Sequence, residues 1–244
     1  MVTKDNASLL QRAAALGRLA GGWAGFSASL GVAAATIAAG ASRQTITSLT
    51  ASRMSRWTRA GGRIRLSVTG REHVTCDPCV YVANHQSFLD YPLMATIFPQ
   101  TCIVVARESI HRMPVVGFLY KRSGHAVIHR ESTTSAAQTL EHLAARIRRE
   151  RVPVWMFPEG TRNKGDPRVL QPFRIGAFRL AVDAGVPVVP VVLSPLRPVI
   201  DLEGWWVGPS APTLQVLAPE PPVGTPRELA DRVRACMQSV LTDA

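Results

Sequence analysis

The amino-acid sequence predicts one α/β domain whose mixed, largely parallel sheet is flanked by helices and preceded by an N-terminal apolar helical segment. Short apolar, β-prone runs alternate along the chain with segments of helical periodicity, as in strands joined by helical crossovers. With 244 residues, of which 46% are hydrophobic, the chain can bury one sizeable core. We expect the helical segment to comprise residues 1–60 and the α/β domain to comprise residues 61–244.

The first 60 residues are predicted to be helical and to contact a membrane. Residues 19–42 carry no charge, and this run of 24 could span a bilayer, although Ala, Gly and Ser dominate it. A tryptophan and several arginines follow: Trp57, Arg43, Arg53, Arg56 and Arg59. This composition favours an interfacial or shallowly inserted helical hairpin. A spanning helix, a cleaved signal peptide and a hairpin buried on the domain are the alternatives.

Strands and helices are then predicted in alternation after Gly61 and Gly62. The predicted strands are residues 63–69, 80–83, 102–106, 126–128, 152–157, 186–193 and 213–217. The predicted helices are residues 88–97, 133–149, 174–184 and 226–241. Residues 107–122 are expected to be irregular, because Pro114 and Gly117 would interrupt a long helix.

Two of these helices carry recognisable end signals. Gly185 follows the third helix, at the position where a left-handed residue commonly ends a helix. Thr225 and Glu228 form the sequence of a capping box, with Pro226 at the first helical position.

The net charge of +11 and the pI of about 10.7 indicate a polyanionic partner. Aromatic residues make up only 6% of the chain and no nucleic-acid-binding motif is visible, so the apolar N-terminal region favours a membrane surface over nucleic acid. The four cysteines do not resemble a disulfide framework in a chain of this length, which indicates a reducing compartment. We therefore expect the protein at the cytoplasmic face of the cell membrane and expect no nucleic-acid partner.

His85 and Asp90 are the strongest candidates for chemistry. They follow the apolar run Val80–Ala83 directly, at the carboxyl end of a predicted strand, where α/β proteins place their sites. Histidine is a common general base near neutral pH, and an aspartate can orient its ring. Residues five apart lie roughly 140° apart on a helix. Contact therefore requires His85 in the turn before the helix and Asp90 within its first turns. A surface histidine near a helix start is the alternative.

Three further motifs follow in order: Gly124–Arg130 (G-x-x-x-I-x-R), Phe157–Arg162 (F-P-E-G-T-R) and Val186–Val191 (V-P-V-V-P-V). Together with N-H-x4-D, they closely match the order of motifs in the glycerolipid acyltransferases. The chain thus resembles the 1-acylglycerol-3-phosphate acyltransferases and their relatives over roughly residues 62–195. Each motif alone is a weak signal, whereas four in order are a strong one.

The resemblance implies transfer of a fatty acyl group from an acyl thioester, acyl-CoA or acyl carrier protein, to the free hydroxyl of 1-acylglycerol-3-phosphate. The product is phosphatidic acid, in phospholipid biosynthesis, and no cofactor is expected. His85 would be the general base and Asp90 its orienting partner. The sequence lacks a G-x-S-x-G elbow, so a covalent intermediate is not indicated, although Ser87 is an alternative nucleophile.

The resemblance also implies an acceptor-binding site. Arg130 and Arg162 would hold the phosphate of the lysophospholipid, since guanidinium groups can bind it in two places. Glu159, Gly160 and Thr161 belong to the same acceptor motif. A structural ion pair for Glu159 and a helix-start turn for the next two residues are the alternatives.

The chain departs from the family pattern in two segments. Arg107 precedes Glu108 where many members have lysine, and His125 and His129 occupy positions that are often apolar or acidic in relatives. No metal site is expected, because the histidines lack ligand spacing. The other functions that remain open are acyl transfer to another lysolipid, such as lyso-ornithine lipid, a non-catalytic basic membrane-binding protein, and a basic nucleic-acid binder.

Overall fold

A computed structural model describes residues 7–75, 78–128, 133–197, 200–202 and 204–242. The strands within these ranges are β1 (Ser67–Thr69), β2 (Val80–Ala83), β3 (Ile103–Arg107), β4 (Ala126–Ile128), β5 (Val154–Met156), β6 (Val188–Leu193), β7 (Ile200–Asp201), β8 (Trp206–Val207) and β9 (Thr213–Val216). A seven-stranded sheet has the order β1-β9-β6-β2-β5-β3-β4, and β7 pairs with β8. Neighbours in the large sheet are parallel except β6 and β9, which confirms the mixed, largely parallel sheet.

The helices of the described ranges are α1 (Leu9–Ala38), α2 (Arg43–Gly62), α3 (Asp90–Met94), α4 (Pro114–Arg122), α5 (Thr133–Glu150), α6 (Gly176–Ala184) and α7 (Pro226–Thr242), with short 3-10 helices at Arg71–Thr75 and Glu108–Arg112. The predicted end signals are present. Gly185 ends α6 with φ +69°. Thr225 and Glu228 exchange the backbone-to-side-chain bonds of a capping box before α7.

The strand residues alternate between two apolar cores. Val80 and Val82 of β2 pack with residues of α5, α6 and α7 on one face of the sheet. Tyr81 and Ala83 pack on the other face, with residues of α1 and α3. This alternation follows from the two-residue period of a strand. The sheet is therefore the middle of three layers, with buried residues on both faces.

Several predicted elements differ from the structure. The strand predicted over residues 63–69 is shorter, because β1 covers only Ser67–Thr69 and Arg63 ends α2. Residues 114–122 form α4, so the expectation of an irregular segment was wrong there. Pro114 is the first residue of this helix, where its missing N–H costs no hydrogen bond. The helix predicted over residues 88–97 is shorter, because α3 covers only Asp90–Met94. The β7–β8 pair was not predicted.

Helices α1 and α2 form a hairpin in which glycines allow the two backbones to approach closely. A Cβ atom on Gly21 would lie 2.5 Å from the carbonyl oxygen of Gly61, and a Cβ on Gly25 would meet the carbonyl of Trp57. Leu19 joins the core on one face of the sheet, so the hairpin also packs on the domain. Within the described residues, no helix is both long and apolar enough to cross a membrane. The division of the chain at residue 60 stays a prediction.

We expect Gly61→Ala to destabilise the protein, because the new methyl group would collide with the backbone of Gly21. Overpacking of this kind typically costs about 1–3 kcal/mol. The free energy of unfolding, measured with denaturant, should fall by that amount. Gly31→Ala is the matched control in α1, since open space surrounds a Cβ at that position. The free energy of unfolding of this control should rise by roughly 0.5–1 kcal/mol, because alanine loses less backbone entropy on folding than glycine does. Equal effects of the two substitutions would contradict the close approach of the two helices.

Candidate active site

The structure brings His85 and Asp90 into contact. His85 lies in the turn after β2 and Asp90 is the first residue of α3, as the five-residue spacing required. His85 Nδ1 and Asp90 Oδ2 are 2.7 Å apart, and the Asp90 side chain is fully buried. Since a carboxylate only accepts hydrogen bonds, Nδ1 carries the proton. The other ring nitrogen, Nε2, is left able to accept a proton.

The same carboxylate oxygen also fixes the turn. Asp90 Oδ2 accepts hydrogen bonds from the backbone N–H groups of Gln86 (2.6 Å) and Ser87 (2.8 Å). The hydroxyl of Ser87 accepts from the backbone N–H of Leu89 at 3.2 Å, a local side-chain bond within the turn that precedes α3. The turn geometry therefore accounts for Ser87 without a nucleophilic role.

Glu159 joins the second motif to the histidine. Its Oε1 accepts from the backbone N–H of His85 at 2.8 Å, and its Oε2 accepts from that of Gln171 at 3.2 Å. Its exposed fraction is only 4%. Burial raises the pKa of Glu159, while the two backbone N–H groups oppose that rise. The contacts make Glu159 a positioning residue for His85, and its predicted acceptor-binding role stays a prediction.

Three polar residues to which we assigned no role from the sequence complete this framework: Asn84, the first residue of the N-H-x4-D motif, Gln86 and Asn163. Asn84 bridges β2 to β6, donating to the Leu193 carbonyl at 2.9 Å and accepting from the Leu193 N–H at 2.8 Å. The backbone N–H of Asn163 donates to the His85 carbonyl at 2.7 Å. Their positions in the sequence could have indicated this role, because Asn84 and Gln86 are polar residues just after a buried strand and Asn163 directly follows the F-P-E-G-T-R motif.

A cavity of about 410 Å³ extends from His85. Its apolar wall comes from the hairpin, from β3 and from α4, through residues that include Phe26, Leu30, Met54, Val104 and Leu119. Phe157 stacks on the His85 ring with centroids 4.3 Å apart. Gly160, at φ +73°, also lines the cavity, and its N–H donates to the Phe157 carbonyl at 3.0 Å. The histidine thus faces a large, mainly apolar space.

His125 contributes a neutral polar group to this wall. Its Nδ1 accepts from the backbone N–H of Val104 at 3.2 Å. Burial, with a smaller effect of the Arg146 charge, lowers the pKa of His125 to about 4. The imidazole is therefore uncharged at neutral pH, which suits a mainly apolar cavity.

Arg162 lines this cavity and also a second one of about 230 Å³. The second cavity is more polar, with Gln86, Ser87 and Arg197 among its lining residues. Thr161 is exposed, and its hydroxyl donates to Gln171 Oε1 at 3.3 Å. Arg130 and His129 lie outside the described residues, so the phosphate role of Arg130 stays a prediction.

Comparison with known proteins gives a consistent result. A family model described as Acyltransferase matches residues 65–194. The chain is 40% identical over 126 residues to the 1-acyl-sn-glycerol-3-phosphate acyltransferase of Haemophilus influenzae, covering 52% of each chain. It is 33% identical over 171 residues to the Escherichia coli enzyme of that name, covering 67% of each. With the human 1-acyl-sn-glycerol-3-phosphate acyltransferase beta it shares 36% over 167 residues, 68% of this chain and 59% of that protein.

The fold is also similar to a solved structure. The 1-acyl-sn-glycerophosphate (LPA) acyltransferase PlsC of Thermotoga maritima matches with a TM-score of 0.68 and 22% identity, covering 83% of this chain and 82% of that one. At that identity, the likeness supports the fold. The chain spans about half of the length of the Haemophilus influenzae relative.

We expect Glu159→Gln to change the pH dependence of stability. Because burial raises the folded-state pKa of Glu159, this group contributes stability below its ordinary value of 4.5 and loses that contribution as the pH rises through the folded pKa. Glutamine does not titrate. The Tm of the variant relative to the wild type should therefore increase as the pH is raised above 4.5, in thermal unfolding followed by circular dichroism.

Glu228→Gln is the control of opposite sign. Hydrogen bonds from the Thr225 backbone N–H and hydroxyl lower the pKa of Glu228. Its contribution to stability is present at higher pH and is lost as the pH falls. The relative Tm of this variant should therefore decrease as the pH rises, and slopes of the same sign for both variants would contradict the assignment.

Proposed function

Because the chain belongs to the Acyltransferase family, we propose that it transfers a fatty acyl group from an acyl thioester to the free hydroxyl of 1-acylglycerol-3-phosphate. The product is phosphatidic acid, and the thioester is carried by coenzyme A or by acyl carrier protein. The observation that carries the proposal is the His85–Asp90 pair at the wall of the 410 Å³ cavity. The names of the relatives support the choice of acceptor.

The proposed reaction uses His85 as a general base. An alcohol is a poor nucleophile, so His85 Nε2 removes the hydroxyl proton as the oxygen attacks the thioester carbonyl. The buried Asp90 carboxylate stabilises the imidazolium that forms. The C–S bond then breaks as the ester forms, and the imidazolium returns the proton to the departing thiolate. The scheme requires no cofactor.

The two cavities suit the two chemical parts of a lysophospholipid. The larger one offers apolar walls to an acyl chain, since burial of each CH₂ group contributes about 0.8 kcal/mol. Arg162, between the two cavities, can hold the acceptor phosphate with two parallel hydrogen bonds.

The proposed substrates are membrane lipids, so we place the enzyme on the cytoplasmic face of the cell membrane. The α1–α2 hairpin would contact the leaflet, peripherally or with shallow insertion. Because the hairpin also lines the larger cavity, a lipid that leaves the leaflet beside it would enter the site directly.

The assay that tests this function offers lysophosphatidate, monoacylglycerol and lyso-ornithine lipid with each thioester donor, and identifies the products by mass spectrometry. We expect phosphatidic acid from the wild type. His85→Ala should lower the rate by roughly 10²- to 10⁴-fold, the usual cost of losing a general base, and Asp90→Asn by a similar or smaller factor. Ser87→Ala is the matched control and should stay within about threefold, because a general base needs no serine nucleophile. A His85→Ala variant as active as the wild type would exclude the assignment.

Arg162→Ala should act on the phosphorylated acceptor alone. A hydrogen bond to a charged group contributes about 1.5–3 kcal/mol. The kcat/KM for lysophosphatidate should therefore fall by roughly 10- to 100-fold, mainly through KM. The KM for the thioester should barely change. Arg162→Lys should recover only part of the loss, because the lysine ammonium cannot donate the two parallel hydrogen bonds of a guanidinium group. Equal fractional losses with lysophosphatidate and monoacylglycerol would show that Arg162 is structural.

A further inference from the structure

We propose that an open pocket at the base of the hairpin binds the phosphate-bearing headgroup of an anionic phospholipid in the membrane leaflet. This arginine pocket has a volume of about 430 Å³ and is lined by Arg18, Arg63, Arg65, Pro209, Ser210 and Ala211. These residues differ from those that line the two cavities of the active site. The inference therefore concerns a separate site. It rests on the proposed contact of the hairpin with the leaflet and is independent of the acyl transfer reaction.

The three arginines come from different segments that backbone contacts hold together. Arg18 lies on α1, and its Nη1 donates to the Val207 carbonyl of β8 at 3.3 Å. Arg63 follows the last residue of α2 directly. The backbone N–H of Arg65 donates to the Ser210 carbonyl at 3.1 Å, which closes the opposite wall. The pocket is thus part of the folded framework.

The three arginines of the pocket form no ion pair within the described residues. Between Ala7 and Arg71 the sequence has nine arginines and no lysine, aspartate or glutamate. Like charges gathered at one pocket repel each other, and a bound anion relieves that repulsion. Guanidinium groups match the geometry of phosphate oxygens in particular.

Arg63 also occupies a position that stability alone would give to glycine. It ends α2 in the left-handed region, at φ +51° and ψ +40°. Helices commonly place glycine there, because a Cβ atom is disfavoured in that conformation. Arg151 has a similar positive φ, +50°, directly after α5, so the conformation does not by itself identify a binding role. It does provide a substitution, Arg63→Gly, that removes the charge without straining the backbone.

The surroundings point to a lipid surface as the source of the phosphate. The sequence of α1 beyond Arg18 is uncharged, and its Trp23 is 43% exposed. Trp205, 70% exposed, lies in the turn before β8, two residues from the carbonyl that accepts from Arg18. Exposed tryptophan beside arginine is typical of the membrane–water interface. An acidic protein would match the charge but would not explain the uncharged sequence of α1 beyond Arg18 or the exposed tryptophans.

The test compares partition onto phosphatidylcholine vesicles with and without phosphatidylglycerol, measured by co-sedimentation. The pocket variant carries Arg18→Gln, Arg63→Gly and Arg65→Gln. Each basic residue near an anionic leaflet contributes about fivefold to partition. The partition coefficient of the pocket variant should therefore be roughly 100-fold lower than that of the wild type on the anionic vesicles and nearly unchanged on the neutral ones.

The matched control removes the same charge elsewhere, with Arg149→Gln, Arg179→Gln and Arg227→Gln on α5, α6 and α7, which pack on the other face of the sheet. The partition of this control onto anionic vesicles should stay within about threefold of that of the wild type, since these residues lie on the face of the sheet opposite the hairpin and far from the proposed leaflet contact. Equal losses in both variants would show an effect of net charge and overturn the proposal. The proposal would also be overturned if the wild type partitioned equally onto vesicles with and without phosphatidylglycerol.

Arg63→Gly alone separates binding from stability. Its Tm should match or exceed that of the wild type, because glycine suits the left-handed position, while its partition onto anionic vesicles should fall about fivefold. Unchanged partition in this folded variant would remove Arg63 from the site. A last experiment measures the Tm of the wild type and of the pocket variant in the presence of inorganic phosphate. If phosphate raises the Tm of the wild type but not of the pocket variant, while both bind vesicles equally, the pocket is a small-anion site and the lipid assignment is wrong.

Discussion

The buried carboxylate of Asp90 is the constraint on which the active site depends. A charge fully removed from water is costly unless donors surround it, and here one oxygen, Oδ2, accepts from the His85 ring and from two backbone N–H groups. These donors lie within five residues of the aspartate, so the hydrogen bonds to Oδ2 also fold the turn after β2. The second oxygen, Oδ1, is buried and has no hydrogen-bond partner among the described residues, so the three bonds to Oδ2 carry the stabilisation. The orientation of the histidine is therefore a by-product of stabilising one buried anion.

The rest of the framework repeats this logic across neighbouring strands. Strands β6, β2 and β5 are adjacent and parallel, so their carboxyl ends meet at one edge of the sheet. Asn84 connects the first two of these ends, and Glu159 connects the turn after β2 to the loop after β5. Motifs that are far apart in sequence thus become a single hydrogen-bonded unit, because buried polar groups at a common edge find their partners in each other.

Local patterns were readable from the sequence where one physical signal dominated. The apolar run of β2, the capping box of α7 and the contact of His85 with Asp90 belong to this group. The prediction at Pro114 was wrong because proline interrupts a helix from within but is favourable as its first residue. The sequence alone did not indicate which of the two positions Pro114 occupies. The cavity was not predictable, since its walls come from α1, α2, β3 and α4, and no local pattern encodes how these elements are spaced.

The hairpin has a double role, as a wall of the larger cavity and as a layer packed on the sheet, so binding in the cavity and packing of the hairpin are thermodynamically linked. A ligand that fills the cavity touches Phe26, Leu30 and Met54, and so favours the docked position of α1 and α2. By reciprocity, whatever holds the hairpin in that position raises the affinity of the cavity for its ligand by the same factor. Occupancy of the cavity and the packing of the hairpin on the sheet are then two measures of one equilibrium.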